Sequence, residues 1–226
     1  STQGYSSAAS DVYKRQLMSC VDLDLNPLSE GSSENWYSSQ AEIEMSLNDF
    51  YRTDFFPIDD MKWGDDVTAR NETSAVNNGT LTSEDGTIAK RWENYYKGIA
   101  RALRIINNMD RARAMGVSEK DIAQYEGEAY FYLGYAYGML AFHWGDAILD
   151  KVGMSLDEAY TASRSPKADV LAYSYECLDK AAERLPNSYP GIQRATKGAT
   201  YAFKARIAIY NEDYATAATA AKNCMD

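Results

Sequence analysis

The chain carries a single histidine and only three cysteines among 226 residues, and both shortages exclude chemistry. His143 stands in the stretch HWGD with no serine or cysteine partner pattern around it, so it reads as a helix-end cap or packing residue and not as a general base. Cys20, Cys177 and Cys224 are odd in number and unrelated in spacing, which fits neither a disulfide framework nor a zinc site. Cys177 and Cys224 fall on helical stripes and are expected to be buried small hydrophobes. Basic residues are also in deficit, 23 against 33 acidic ones for a formal charge of −10. That balance argues against a nucleic-acid surface, which would show clustered Lys and Arg. No run of about 18 apolar residues occurs, so no helix is long and apolar enough to cross a membrane.

What the sequence does hold is helical pattern and tyrosine. A chain of this length buries roughly 70% of its unfolded surface, so it needs no disulfide staples. Apolar positions at Trp92, Tyr95, Tyr96, Ile99, Ala102, Leu103, Ile106 and Met109 form one helical stripe. Ile122, Tyr125, Ala129, Tyr132, Leu133, Ala136, Leu140 and His143 form a second. Between its large side chains, Gly127, Ala129, Gly134, Ala136 and Gly138 leave hollows that allow a close helix approach. Gly116 suits a C-terminal cap, and Ser118 followed by Asp121 an N-terminal one. Residues 92–146 therefore read as an antiparallel helical hairpin. The 18 tyrosines serve packing on the plainer account, and a stacking surface for sugar rings or peptides on the sharper one.

Further helices are expected from a Ser33 cap to about Thr53, with Trp36, Ile43, Leu47 and Phe50 or Tyr51 inward. Another runs from Pro166 to Pro186, and a pair breaks near Asn211 and restarts at Tyr214. In that last pair Ala199, Ala202, Ala205, Ala208, Ala217 and Ala221 are the small residues, with Tyr201, Ile209 and Tyr214 as knobs, a tetratricopeptide-like pattern. Two long irregular loops, at about 55–86 and 143–165, interrupt the helices, and long loops inside a folded domain are often functional. In the first, Trp63 lies between the acidic pairs Asp59 with Asp60 and Asp65 with Asp66. Trp63, Asp65, Asp66 and Asn71 are the candidate ligand-binding residues, an aromatic shelf with hydroxyl-binding neighbours. Taken instead as an acid and base pair for glycoside hydrolysis, these carboxylates lack any sign of the burial needed to drive their pKa values apart.

Residues 1–16 are small, polar and without period, and resemble translated sequencing adapter; the native start is expected to lie elsewhere. Leu17-Met18-Ser19-Cys20 resembles a lipobox, which makes Cys20 the candidate lipidation site and residues 1–19 a leader remnant or foreign tail. Asp22, Asp24 and Asn26 superficially open a calcium loop. Pro27 stands where that loop needs glycine, and no glutamate closes it.

In order along the chain, Cys20 followed by DLDLNP, SSENWYSSQAEIEMSLNDFYR, WENYYKGIARA, GEAYFYLGYAYGMLAFHWGD and RATKGATYAFKARIAIY resemble the SusD/RagB family of nutrient-binding outer-membrane lipoproteins. That resemblance spans about residues 20–226. It implies an all-α fold in which tetratricopeptide-like helical pairs, the 92–146 hairpin among them, are mainly scaffold and irregular loops make the ligand site, without catalysis. No cofactor and no metal are expected. The resemblance also implies a lipid anchor at Cys20, surface exposure at the outer membrane, a glycan or peptide ligand, and a SusC-like TonB-dependent transporter as partner. Family members are longer, so the chain is expected to be the N-terminal part of such a protein. Leu103 stands where the family has asparagine, and Tyr130 and Leu133 where it has arginine. The other reading is a tetratricopeptide-type adaptor holding a peptide in its groove.

Overall fold

The computed structural model describes residues 36–37, 39–57, 75–191 and 193–225, and the account below concerns these. Apart from Trp36 they belong to one compact unit, Tyr37–Asp226. Its elements are α1 (Gln40–Asn48), a short 3-10 turn (Asp49–Tyr51), α2 (Gly86–Asn107), α3 (Met109–Ala114), α4 (Glu119–Trp144), α5 (Leu156–Thr161), α6 (Lys167–Arg184), α7 (Lys197–Tyr210) and α8 (Tyr214–Met225). Among the described residues there is no β-strand, only an isolated antiparallel bridge between Ala147 and Ser165. The all-α expectation is met.

Helix α4 is the axis of the unit. It is buried on nearly every face from Gly127 to Ala141, because α2, α6 and α7 all pack on it. Its hollows receive knobs from the later helices. Leu185 fills Gly127, Leu178 fills Gly134 and Ile207 fills Gly138. A side chain at any of these glycines would occupy space already taken, so the close helix approach requires them. The approach to α2 uses the reverse arrangement, with the Tyr132 ring lying against Gly98. Ser174 on α6 donates its hydroxyl to the Gly134 carbonyl at 2.6 Å, which satisfies a buried polar group across the α4–α6 contact.

Helix ends follow local chemistry. Ser118 accepts the Asp121 amide, and Gly116 takes φ 87° after α3, a conformation that costs glycine little. Ser39 begins α1, where it forms a capping box with Glu42, and Ser33 lies outside the described residues. The predicted helix to Thr53 is shorter than expected, ending at Asn48 and tightening into the 3-10 turn. Trp36 lies in a turn before it and not on an inner helical stripe. Asp85 caps α2, which starts at Gly86, so the helical stretch begins before Trp92. The second loop is more ordered than its sequence suggests. Tyr137 Oη donates to the Asp150 carbonyl at 2.8 Å, Asp150 Oδ1 accepts the Gly153 amide at 2.7 Å, and α5 closes its own capping box with Ser155 and Glu158.

Three expectations about α7 and α8 are corrected. Ile209 and Tyr214 are 54% and 68% exposed, and α7 turns Thr200, Ala205, Ile207 and Ala208 inward instead. Ala202 and Ala221 are also exposed. Cys224 is exposed as well, its thiol near the Gly198 carbonyl at 3.4 Å, whereas Cys177 is buried as expected. Burial pushes the Cys177 thiol up to about 12, against a smaller opposing hydrogen bond with Tyr173. Maleimide at pH 8 should therefore label Cys224 in the native protein and Cys177 only after denaturation, as peptide mass mapping would show. Native labelling of Cys177 at the rate of Cys224 would contradict this burial.

A buried polar network fixes the segment leading into the first loop. Glu128, 2% exposed on α4, accepts from Tyr51 Oη at 2.9 Å and from Arg194 Nη1 at 2.8 Å. The Tyr51 hydroxyl in turn accepts the Ala195 amide at 2.9 Å, and Arg194 also reaches Asn48. Beyond Tyr51, Phe55 is buried under the Arg101 guanidinium, and Phe56 packs on Tyr135 with centroids 4.5 Å apart. The chain is thus held firmly up to Pro57.

Candidate functional site

The last turn of α4 places Phe142, His143 and Trp144 consecutively, so their rings fan around the helix end and reach both α2 and α7. Gly145, at φ 74°, then ends the helix. Trp144 meets Trp92 at 5.3 Å, and Trp92 meets Tyr96 at 4.9 Å. On the other side, His143 lies 5.5 Å from Trp144 and 4.8 Å from Phe142. Phe142 stacks on Tyr210 at 4.8 Å with planes 28° apart. The result is a continuous aromatic belt from α2 to α7. Its Phe142–Tyr210 end is open to water, the two residues being 42% and 43% exposed.

Next to Tyr210 lies a cavity of about 220 Å³ lined by Phe56, Pro57, Tyr135, Met139, Phe203 and Arg206. Phe203 stands edge-on to Tyr135 at 5.5 Å and to Phe131 at 5.4 Å. These rings hold one another in place, so the cavity wall is formed before a ligand arrives. Two guanidiniums sit on ring faces at the site, Arg206 over Phe203 at 5.1 Å and Arg164 over Trp92 at 4.9 Å. Burial raises the Tyr96 hydroxyl above its ordinary pKa, and it donates to the Ile148 carbonyl at 2.9 Å. It is therefore a neutral donor at pH 7. Larger grooves of about 310 and 490 Å³ border α8, but Tyr201 is the only ring lining either, beside Lys204, Asp179, Lys197 and Asn223. Among the described residues no group of His, Cys, Asp and Glu side chains could hold a metal ion.

Trp63, Asp65, Asp66 and Asn71 lie outside the described residues, as do Asp59, Asp60 and Cys20. Described chain ends at Pro57 before that stretch, and Pro57 itself lines the aromatic cavity. The belt was not singled out from the sequence as a site. Phe142 and Tyr210 lie off the stripes read from the sequence, and the packing of α4 against α7 leaves both partly exposed. A usable signal did exist: Arg206 and Tyr210 stand four apart on α7 and so share a face, and a charged residue marks that face as solvent-exposed.

The architecture defines a class, an all-α protein of packed helical pairs with an aromatic end face. The chain belongs to the SusD-like family described as starch-binding and associating with the outer membrane, whose model matches residues 23–209. A curated relative, a SusD-like protein of Formosa agariphila, is 23% identical over 91% of this chain and 43% of its own length. The chain therefore spans less than half of that relative. A SusD-like carbohydrate-binding protein of Bacteroides fragilis superposes with a TM-score of 0.73 at 22% identity, over 85% of this chain and 41% of that one. Another solved structure, holding a xylogluco-oligosaccharide, superposes at 0.65 with 16% identity, over 81% and 40%. At such identities the likeness establishes the fold alone.

Proposed function

We propose that the protein is a surface-exposed nutrient-binding lipoprotein that captures oligosaccharide and passes it to a SusC-like TonB-dependent outer-membrane transporter. It does no chemistry on its ligand. The observation that carries the binding step is the water-facing Phe142–Tyr210 stack beside a preformed aromatic cavity. Sugar rings present apolar C–H faces to such platforms and leave their hydroxyls for polar neighbours. The family description and the carbohydrate-binding relative support a glycan over the adaptor's peptide. Trp63, Asp65, Asp66 and Asn71, on the segment that follows Pro57, remain the proposed partners from the loop. Cys20 is the proposed lipid anchor, and the TonB-dependent transporter the proposed recipient.

Calorimetry with a glycan panel tests the binding step. Tyr210→Ala should weaken a confirmed ligand by about ten-fold, which corresponds to ~1.4 kcal/mol, and Trp63→Ala by a similar factor. Unchanged affinity in Tyr210→Ala would remove the belt from the site, and unchanged affinity in Trp63→Ala would clear the loop tryptophan. The anchor is tested separately by labelling with a palmitate analogue, where Cys20→Ala should abolish incorporation.

A further inference from the structure

We infer that the ligand of this belt is an anionic oligosaccharide, whose sugar rings stack on Tyr210 and Phe142 while a carboxylate or sulfate group is taken by Arg206 at the cavity. This rests on the binding reading above and adds the ligand's charge to it.

The chain is strongly acidic, yet α7 from Lys197 to Tyr210 carries Lys197, Lys204 and Arg206 and no acidic residue. Most arginines with a described contact are committed to carboxylates: Arg52 and Arg101 to Asp49, Arg113 and Arg184 to Glu126, Arg194 to Glu128. On α7, Lys204 is paired with Asp179 at 2.5 Å. Arg206 differs, since among the described residues its contact is the face of Phe203 and not a carboxylate. Arg164 on Trp92 repeats the arrangement at the other end of the belt. A guanidinium lying on a ring keeps the N–H groups at its edge directed outward. That edge is a planar fork matched to the two oxygens of a carboxylate or sulfate.

Position makes the fork part of the site. Arg206 lines the cavity with Phe203 and Tyr210, and it precedes Tyr210 by one helical turn, so ring platform and cation share one exposed face. A neutral sugar would be served by the rings and hydroxyl partners alone. A guanidinium that has no carboxylate partner among the described residues and rests on a ring of the cavity wall adds most affinity for a ligand that brings negative charge. In a protein of net charge −10 a local cation is what offsets the long-range repulsion of an anionic ligand.

The test is calorimetry of the protein with tetragalacturonate, a sulfated carrageenan tetrasaccharide and neutral maltotetraose, at low and high salt. At least one acidic probe should bind ten-fold or more tighter than maltotetraose, and its affinity should fall with salt. Arg206→Gln should lower that affinity at least ten-fold while Arg206→Lys retains part of it, with circular dichroism unchanged because the residue is exposed. Whether the galacturonate or the sulfated probe is preferred identifies the group taken. Equal binding of neutral and acidic probes, no binding of either acidic probe, or an Arg206→Gln variant with wild-type affinity for the acidic probe would each overturn the inference. Maltotetraose binding that is lost in Tyr210→Ala would, in those cases, leave the sugar-binding reading standing.

Discussion

Replacing Arg194 with methionine is expected to lower the unfolding free energy by about 3–5 kcal/mol, the usual cost of stranding one partner of a buried ion pair. The pair qualifies on geometry. The Glu128 and Arg194 side chains are 1% and 10% exposed and meet at 2.8 Å, and Tyr51 and Gln124 also donate to the carboxylate. Without Arg194, the Glu128 charge would keep Tyr51 and Gln124 but lose its counter-ion while its own side chain is 1% exposed. For a domain of this size each kcal/mol moves the melting temperature by roughly 2–4 °C, so a fall of about 6–20 °C should be seen. The double variant Arg194→Met with Glu128→Leu should recover much of the loss, because removing both partners leaves no buried charge. Urea titrations of the three proteins decide the matter. A single-variant loss under about 1 kcal/mol would show that the network is not a staple. The network also joins the segment before the first loop, through Asn48 and Tyr51, to Ala195 just before α7. Loosening it should weaken ligand binding along with stability, since Phe56 and Pro57 and the α7 residues of the aromatic cavity follow closely on the segments it joins.

The parts of this fold that the sequence makes legible are those decided locally. Caps at Ser118 and Gly116, the break near Asn211 and the stop before Pro186 each depend on neighbouring residues, and each stands where the pattern places it. Ser39 caps α1 because Glu42 stands three residues on and closes a reciprocal capping box. Faces of helices are decided by tertiary packing, and there the pattern is ambiguous. Ile209, Tyr214 and Cys224 belong to apolar stripes, yet α7 and α8 turn other residues toward each other and toward α4. The site suffers from the same ambiguity. An exposed phenylalanine stacked on an exposed tyrosine looks, in sequence, like two more core residues, and Phe142 and Tyr210 are 68 positions apart in the chain with nothing local to join them. Leu103 and Leu133, where the resemblance led to an expectation of polar residues, are buried apolar positions in the helical core.

The second large effect is expected at Gly134. A methyl group there would lie 2.5 Å from Leu178 Cγ and 3.0 Å from the Ser174 carbonyl oxygen, and the second of these is backbone. Leu178 could turn away, but the α6 main chain could recede only by lengthening the 2.6 Å hydrogen bond from Ser174 to Gly134. Two opposed terms then compete in Gly134→Ala. Helix propensity favours alanine by about 1 kcal/mol, while overpacking a well-filled contact costs typically 1–3 kcal/mol. The α4–α6 contact runs along most of both helices, so a local shift cannot be absorbed at one end, and the overpacking term should win by about 1–2 kcal/mol. Gly134→Leu removes any doubt about sign, with a loss of at least about 3 kcal/mol or failure to fold. Gly86→Ala is the matched control. That residue sits at the first position of α2 with nothing within 4 Å of an added methyl, so it should be neutral or stabilising by up to about 1 kcal/mol. Chemical denaturation of Gly86→Ala and Gly134→Ala side by side separates propensity from packing. If the two variants were equally stable, the close approach of α4 and α6 would not be what sets residue 134.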